Sequence, residues 1–182
     1  MLPNLAAELL RRQDEDQRAR KALISFVRQH QTKGQRRAET SPDESHAMDE
    51  VVRIDQANTQ WLTNVVERHG WPGQSLVGRD GAAAAWLLAQ HADHDPDFQR
   101  RCLDLMTAMP TGEVKPHHIA YLTDRVLLAE NAPQLYGTQV QQVDGVYQPA
   151  NLANPESVDQ RRASVGLEPL AEYLRHFLDG YT

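Results

Sequence analysis

The stretch that most constrains the fold is residues 80–99, where an uncharged segment runs directly into a cluster of histidine and aspartate residues. Residues 81–89 carry no charged side chain, so a helix there is apolar on every side and belongs in the middle of a core. The segment continues into Gln90, His91 and Asp93, which are costly to bury without hydrogen-bond partners. We therefore expect a central helix over residues 81–93 that ends in a structural hydrogen-bond network or at the floor of a functional site.

Composition limits the functional classes. The length of 182 residues suits one domain, and 40% apolar with 24% charged residues is ordinary for a globular chain. The net charge of −6 argues against nucleic-acid binding. Local arginine pairs occur at 11–12, 36–37 and 161–162, and solvated helix faces are expected to explain most of them.

The sequence also gives expectations for the cellular location of the protein and for its cofactors. No apolar run approaches the roughly 20 residues of a membrane span, and the N-terminus does not resemble a secretory signal. A single cysteine, Cys102, excludes an intramolecular disulfide and suits a reducing compartment, so a cytoplasmic location is expected. Phosphate-cradling loops, nucleophile elbows, paired cysteines and dinucleotide fingerprints are absent from the sequence, so no cofactor is expected.

Two long helices are predicted before the central one. Leucines and other apolar residues recur at helical spacing up to about Gln31, although residues 11–20 are nearly all charged or polar. Those side chains are expected to be exposed, with Arg20 the one that could point inward. Residues 31–44 form a predicted polar loop.

The second helix covers about 45–68. Its apolar stripe of Val51, Leu62 and Val65 is completed by Asp55 and Asn58, which either cap a neighbouring loop or belong to a site.

The remaining elements follow from turn and cap signals. Gly70 and Pro72 end the second helix, residues 75–78 form an extended connector, and Asp80 caps the central helix. Further helices begin at Pro96, Pro116, Pro155 and Pro169, and Asp144-Gly145 predicts a β-hairpin. The expected fold is mainly α, a single-domain bundle of six or seven helices around a buried central helix, with one small hairpin.

Several segments together resemble a known family. They are, in order, Gly70-Trp71-Pro72, Ser75 to Gly78, Ala85 to Asp93, Asp95 to Gln99, Ala120 to Val126, Gln134 to Gln139, and Val158 to Leu167. This order resembles a bacterial family of uncharacterised proteins, a domain of unknown function, over about residues 50–175. The resemblance implies that the chain is a complete family member, but it brings no activity and therefore no catalytic roles.

The sharpest functional hypothesis is acid/base catalysis by His91, whose ordinary pKa of about 6.5 suits proton exchange near neutrality. Asp124 or Asp55 would orient it, and Arg125 would anchor an anionic group. The substrate would be a small anionic or peptide-like molecule undergoing metal-independent hydrolysis or isomerisation. The other polar groups expected in the binding site are Asn58, Gln90, Gln99, Tyr121, Tyr136, Gln139 and Arg161.

Three alternatives stay open. His91 also shares a stripe with alanine and leucine residues, so it can be a hydrogen-bonded core histidine. A non-catalytic helical module could bind a small ligand or peptide through residues 134–139; alternatively, this segment is a structural turn in which Gly137 supplies the backbone freedom. A metal-dependent hydrolase could use the histidine and aspartate cluster at 91–97. The sequence does not indicate the oligomeric state.

Overall fold

The structure is a computed structural model that describes residues 1–31 and 42–178. These residues form seven α-helices and one two-stranded antiparallel hairpin, which confirms the predicted mainly α class. By backbone contacts the chain separates into two compact units, residues 1–95 and 96–182, which are described in turn. The division expected from the sequence, with an N-terminal helix at 1–30, a polar loop at 31–44 and a core at 45–182, stays a prediction.

The first unit consists of three helices. They are α1 (Pro3–Gln31), α2 (Pro42–His69) and α3 (Gln74–Gln90), and both α2 and α3 pack against α1. Their apolar stripes form a core of Leu9, Val51, Ile54, Leu62, Val65, Val66, Ala84, Ala85, Leu88 and Ala89. Gly70 ends α2 with a φ of 70°, a left-handed conformation that glycine adopts without strain.

Small residues let α3 approach α1 closely. A Cβ atom on Gly81 would lie 3.5 Å from the Cβ of Ala6 in α1 and 3.0 Å from Val77. Ala84, Ala85 and Leu88 are almost completely buried, as the uncharged segment predicts. This close packing places the C-terminal end of α3 beside the middle of α1.

The bounds of these helices differ from the expectations at three points. Residues 74–77 are helical rather than extended, and the break comes at Gly78, whose φ of 76° interrupts α3. Asp80 therefore does not cap the helix, which ends at Gln90 rather than at Asp93. α2 begins at Pro42, inside the expected loop; residues 32–41 of that loop lie outside the described residues.

The second unit combines four helices with the hairpin. It contains α4 (Pro96–Thr107), α5 (Pro116–Ala129), β1 (Val140–Val143), β2 (Val146–Pro149), α6 (Val158–Ser164) and α7 (Leu170–Leu178). The strands pair from Val140 opposite Pro149 to Val143 opposite Val146, which confirms the turn at Asp144-Gly145. A 3₁₀ turn, Pro155–Ser157, leads into α6. Over residues 1–31 and 42–178, no helix is long and apolar enough to span a membrane.

Candidate functional site

Four polar side chains from the three helices of the first unit meet in one cluster. α1 contributes Asp16 and Arg20, α2 contributes Asp55, and His91 caps the C-terminus of α3. The side chain of Asp16 is 1% exposed and that of His91 is 18% exposed. We call these four residues the His91 cluster.

The bond between Asp16 and His91 fixes the tautomer of the neutral imidazole ring. Oδ1 of Asp16 lies 2.8 Å from Nδ1 of His91. An ionised carboxylate only accepts hydrogen bonds, so Nδ1 carries the proton. Nε2 is then the unprotonated nitrogen of the neutral ring, and no described residue is hydrogen-bonded to it. This arrangement leaves a proton acceptor on a partly exposed ring that a buried carboxylate holds in place.

Arg20 ties the two carboxylates together. Its NH2 nitrogen donates to Oδ1 and Oδ2 of Asp55 at 2.6 and 2.8 Å. Its Nε lies 3.2 Å from Oδ1 of Asp16 and 3.1 Å from Nδ1 of His91. Because Nδ1 is itself a donor, the Nε proton goes to Asp16. NH1 of Arg20 forms no hydrogen bond with any described residue.

The two carboxylates of the cluster have pKa values displaced in opposite directions. Burial opposes the ionisation of Asp16, but the hydrogen bond from His91 and the positive charges of Arg20 and of His91 in its protonated form outweigh it and lower the pKa of Asp16. Burial raises the pKa of Asp55, Asp16 adds to this effect, and Arg20 opposes it without reversing it. Two carboxylates face one guanidinium, so one excess negative charge is present while His91 is neutral.

The same groups also have the composition of a metal site. One ligand atom each from Asp16, Asp55 and His91 lies within 4.8 Å of the others. Among the described residues they are the one such group of histidine, cysteine and acidic side chains. The cluster expected at 91–97 therefore contributes only His91 to it, and Asp93 and His94 are exposed.

A second polar contact lies one helical turn away. NH1 of Arg12 donates to Oδ1 of Asn58 at 3.0 Å, and the guanidinium carbon of Arg12 lies 4.5 Å from the centre of the Trp61 ring. Asn58 is 4% exposed, so both polar members of the predicted α2 stripe, Asp55 and Asn58, contact polar groups of α1. Neither caps a loop.

In the second unit, Asp124 organises a loop. Its fully buried carboxylate accepts hydrogen bonds from the backbone N–H groups of Leu135, Tyr136 and Thr138 at 2.7, 3.0 and 2.9 Å, and from the Thr138 hydroxyl at 3.0 Å. These bonds use its acceptor positions in holding the loop. The role in orienting His91 that the sequence suggested for Asp124 stays a prediction.

Residues 134–139 are a structural turn. Gln134 donates to the carbonyls of Gln139 and Ala150 and accepts from the N–H of Gln139. Arg161 donates to the carbonyl of Leu135, and Arg162, expected on a solvated face, is fully buried and donates to the carbonyl of Tyr136. The backbone of the loop is thus held from both sides, which supports the structural explanation of Gly137. Tyr136 and Gln139 belong to this turn.

The other predicted binding residues are distributed over both units. Gln90 and Gln99 are buried. Tyr121 and Arg125 are half-buried on α5, with the Tyr121 ring centre 6.3 Å from that of Tyr173.

A further histidine, His118, is buried, and burial lowers its pKa to about 3, so it stays uncharged near neutrality.

The sequence did not identify Asp16 as a site residue, and it indicated only that Arg20 could point inward. The missed signal is the spacing of Asp16, which lies seven residues from Leu9 and seven from Leu23. Two helical turns separate each pair, so Asp16 continues the stripe of the fully buried Leu9.

The comparisons with known proteins give a family without an activity. A family model described as a family of unknown function, DUF6624, matches residues 3–182. No curated protein and no solved structure matches the chain.

Proposed function

Because the chain belongs to the DUF6624 family of unknown function, we propose its function from the His91 cluster: an enzyme that transfers protons through Nε2 of His91 in a metal-independent hydrolysis or isomerisation. The observation that carries this proposal is the 2.8 Å hydrogen bond that Nδ1 of His91 donates to the buried Asp16, with Nε2 left free of hydrogen bonds to the described residues. Asp55, one of the two partners expected from the sequence, belongs to the cluster because Arg20 donates to its carboxylate. In this proposal the residue that orients His91 is Asp16, which was not expected.

The chemistry needs only groups of the cluster. In a hydrolysis, Nε2 takes a proton from water as the water oxygen bonds to the carbonyl carbon of the substrate. The imidazolium then returns that proton to the leaving group as the scissile bond breaks. Asp16 stabilises the imidazolium while Arg20 keeps Asp16 oriented. A general base of this kind contributes about 10²- to 10⁴-fold to a rate.

The charge of the cluster favours a particular substrate class. One excess negative charge disfavours a strongly anionic group beside Nε2, whereas NH1 of Arg20, which has no hydrogen bond to the described residues, offers a donor to an oxygen atom. Of the two classes expected from the sequence, a peptide-like substrate with a neutral carbonyl group fits the reacting position better than an anion.

The test is hydrolysis of p-nitrophenyl acetate, a neutral ester whose cleavage a general base accelerates. We expect His91→Gln to lower the enzyme-dependent rate by about 10²-fold or more, and Asp16→Asn to lower it as well. His94→Gln, three residues away and exposed, is the matched control. A rate in His91→Gln within twofold of the wild type would rule out the proposed role.

A divalent metal site is the second candidate, favoured by the three ligand atoms within 4.8 Å. Zn²⁺ takes histidine nitrogen and aspartate oxygen at about 2.0–2.2 Å, so Arg20, which lies between these ligands, would have to leave. Arg20→Gln should then tighten Zn²⁺ binding measured by calorimetry, while Arg18→Gln, an exposed change on the same helix, should not. Equal and negligible binding by all three proteins would exclude this candidate.

A further inference from the structure

Asn58 is a buried amide that uses only one of its two polar atoms. It is 4% exposed, and Oδ1 accepts from Arg12 at 3.0 Å. Nδ2 is buried and has no hydrogen-bond partner among the described residues. The amide cannot be turned over, because that would place its NH2 group against the guanidinium, donor against donor. The unused group is therefore a hydrogen-bond donor.

Arg12 presents a second unused donor beside the first. Its Nε donates to Oε1 of Glu8 at 2.8 Å, its NH1 donates to Asn58, and its carbon lies over Trp61. NH2 forms no hydrogen bond with any described residue. The guanidinium is thus held by Glu8, Asn58 and Trp61, while its NH2 group is without a hydrogen-bond partner among the described residues.

This donor pair is aligned with the His91 cluster. Arg12 precedes Asp16 by four residues on α1, and Asn58 follows Asp55 by three on α2. Residues at these spacings share one helix face and lie about one turn, roughly 5 Å, apart along the axis. A molecule that reacts at His91 therefore has the donor pair one turn away, on the same two helices.

We propose that Nδ2 of Asn58 and NH2 of Arg12 donate hydrogen bonds to an oxygen atom of the substrate. This oxygen belongs to a planar carboxamide or carboxylate group and lies one helical turn from the reacting bond. This inference rests on the proposed function and specifies its substrate as a molecule with a second carbonyl oxygen. Both protein groups only donate, so the partner has to accept. Glu8 already balances Arg12, which favours the neutral carboxamide.

The probes are succinamide and succinate, with 1,4-butanediol as a control that lacks carbonyl groups. We expect succinamide, succinate or both to shift the side-chain amide resonances of Asn58 saturably in ¹⁵N-edited NMR spectra of the full chain. The more tightly bound compound identifies the carboxamide or the carboxylate as the source of the oxygen. The diol should leave these resonances in place.

Asn58→Asp is the decisive variant, because it keeps an acceptor for Arg12 and removes the Nδ2 donor, although it also adds a negative charge. We expect it to weaken binding of the better compound at least tenfold, as followed by the indole resonance of Trp61. Asn64→Asp is the matched control: it adds the same charge at an exposed position of α2, where the amide donates to Gln60.

The outcomes separate this inference from the proposed function. If neither compound shifts the Asn58 amide resonances in the wild type, the inference is overturned. A shift confined to the His91 ring would then leave the proposed function standing. Equal binding by the wild type and a folded Asn58→Asp protein also overturns the inference, since the donor would be dispensable.

Discussion

At the scale of single residues, the hydrogen bond between Asp16 and His91 is the central contact of the His91 cluster. The bond joins a carboxylate that is 1% exposed to a ring 75 residues away in the sequence. Removing either side chain leaves the other without its hydrogen-bond partner in a largely buried position, so each change is expected to destabilise the fold. A loss of stability alone does not separate a structural role from a catalytic one, because the proposed function requires the same bond to orient the ring.

A double-mutant cycle measures this bond. We expect His91→Ala to lower the free energy of unfolding by about 1–3 kcal/mol, and the cycle with Asp16→Asn to reveal a coupling of about that size. Urea unfolding at neutral pH gives the values. The exposed pair Arg53 and Glu50 is the control, for which a smaller coupling is expected. Additive effects of His91→Ala and Asp16→Asn would show that the bond does not form.

The opposite pKa displacements of Asp16 and Asp55 predict opposite pH dependences. Asp16 has a lowered pKa in the folded state, so its contribution to stability is present above the unfolded value of about 3.9 and is lost as pH falls through the folded pKa. Asp55 has a raised pKa, so its contribution is present at low pH and is lost as pH rises through the folded pKa.

Urea unfolding between pH 3 and 6 tests both signs. The stability advantage of the wild type over Asp16→Asn should shrink toward pH 3, and its advantage over Asp55→Asn should grow. Asp14→Asn, an exposed change on α1, controls for net charge. Parallel curves for the Asp16 and Asp55 variants would contradict the assignment.

At the scale of elements, the turn at residues 134–139 shows how polar groups replace regular secondary structure. Asp124 accepts from its N–H groups while Arg161 and Arg162 donate to its carbonyls. Buried backbone groups outside helices and strands need such partners. The aspartate and arginines thus stabilise a loop that connects α5 to the hairpin.

Asp124→Asn tests this structural role. One carboxylate oxygen becomes an NH2 group facing backbone donors, so we expect a loss of about 2–3 kcal/mol in the free energy of unfolding. The remaining folded protein should keep its rate with p-nitrophenyl acetate. A stable but inactive variant would instead support the catalytic role expected for Asp124 from the sequence.

Comparing alanine variants of Gly137 and Gly145 distinguishes the cost of backbone strain from the cost of steric crowding. Both have positive φ, 68° and 83°, so alanine is strained at either position by roughly 1–2 kcal/mol. A Cβ on Gly137 would also lie 3.1 Å from Leu170 and 3.3 Å from Pro149, whereas nothing lies within 4 Å at Gly145. We therefore expect Gly137→Ala to lower the melting temperature further than Gly145→Ala. Equal losses would show that the neighbours of Gly137 yield.

At the scale of the whole molecule, the complete His91 cluster and the Arg12–Asn58 pair lie within residues 1–95. Their helices share one core, in which Ala84, Ala85 and Leu88 of α3 are buried with Leu9 of α1. Proton transfer as proposed therefore needs no group from residues 96–182.

A fragment test follows from this organisation. We expect residues 1–95 alone to fold into a helical unit with a cooperative thermal transition by circular dichroism. Residues 1–69, which lack α3, should not, because Leu9 and its neighbours lose the cover of the buried alanines. A non-cooperative 1–95 fragment would show that the unit depends on the rest of the chain.

The sequence alone determined much of the local structure. Proline and glycine signals located the starts of α4 and α5 and the hairpin turn at Asp144-Gly145, because these residues restrict the backbone directly. Helical spacing also placed Asp55 and Asn58 on the packed stripe of α2. At Gly78 the local signal misled, since the break it marks lies inside α3 and not before it.

Only the tertiary structure decided which polar groups meet. His91 was identifiable from its position after an uncharged helix, but its partners lie 75 and 71 residues away, at Asp16 and Arg20. In sequence these two resemble the exposed charges around them, and Arg162 resembles Arg161. Periodicity fixes the face a residue occupies, whereas its burial and its partner depend on which other helix covers that face.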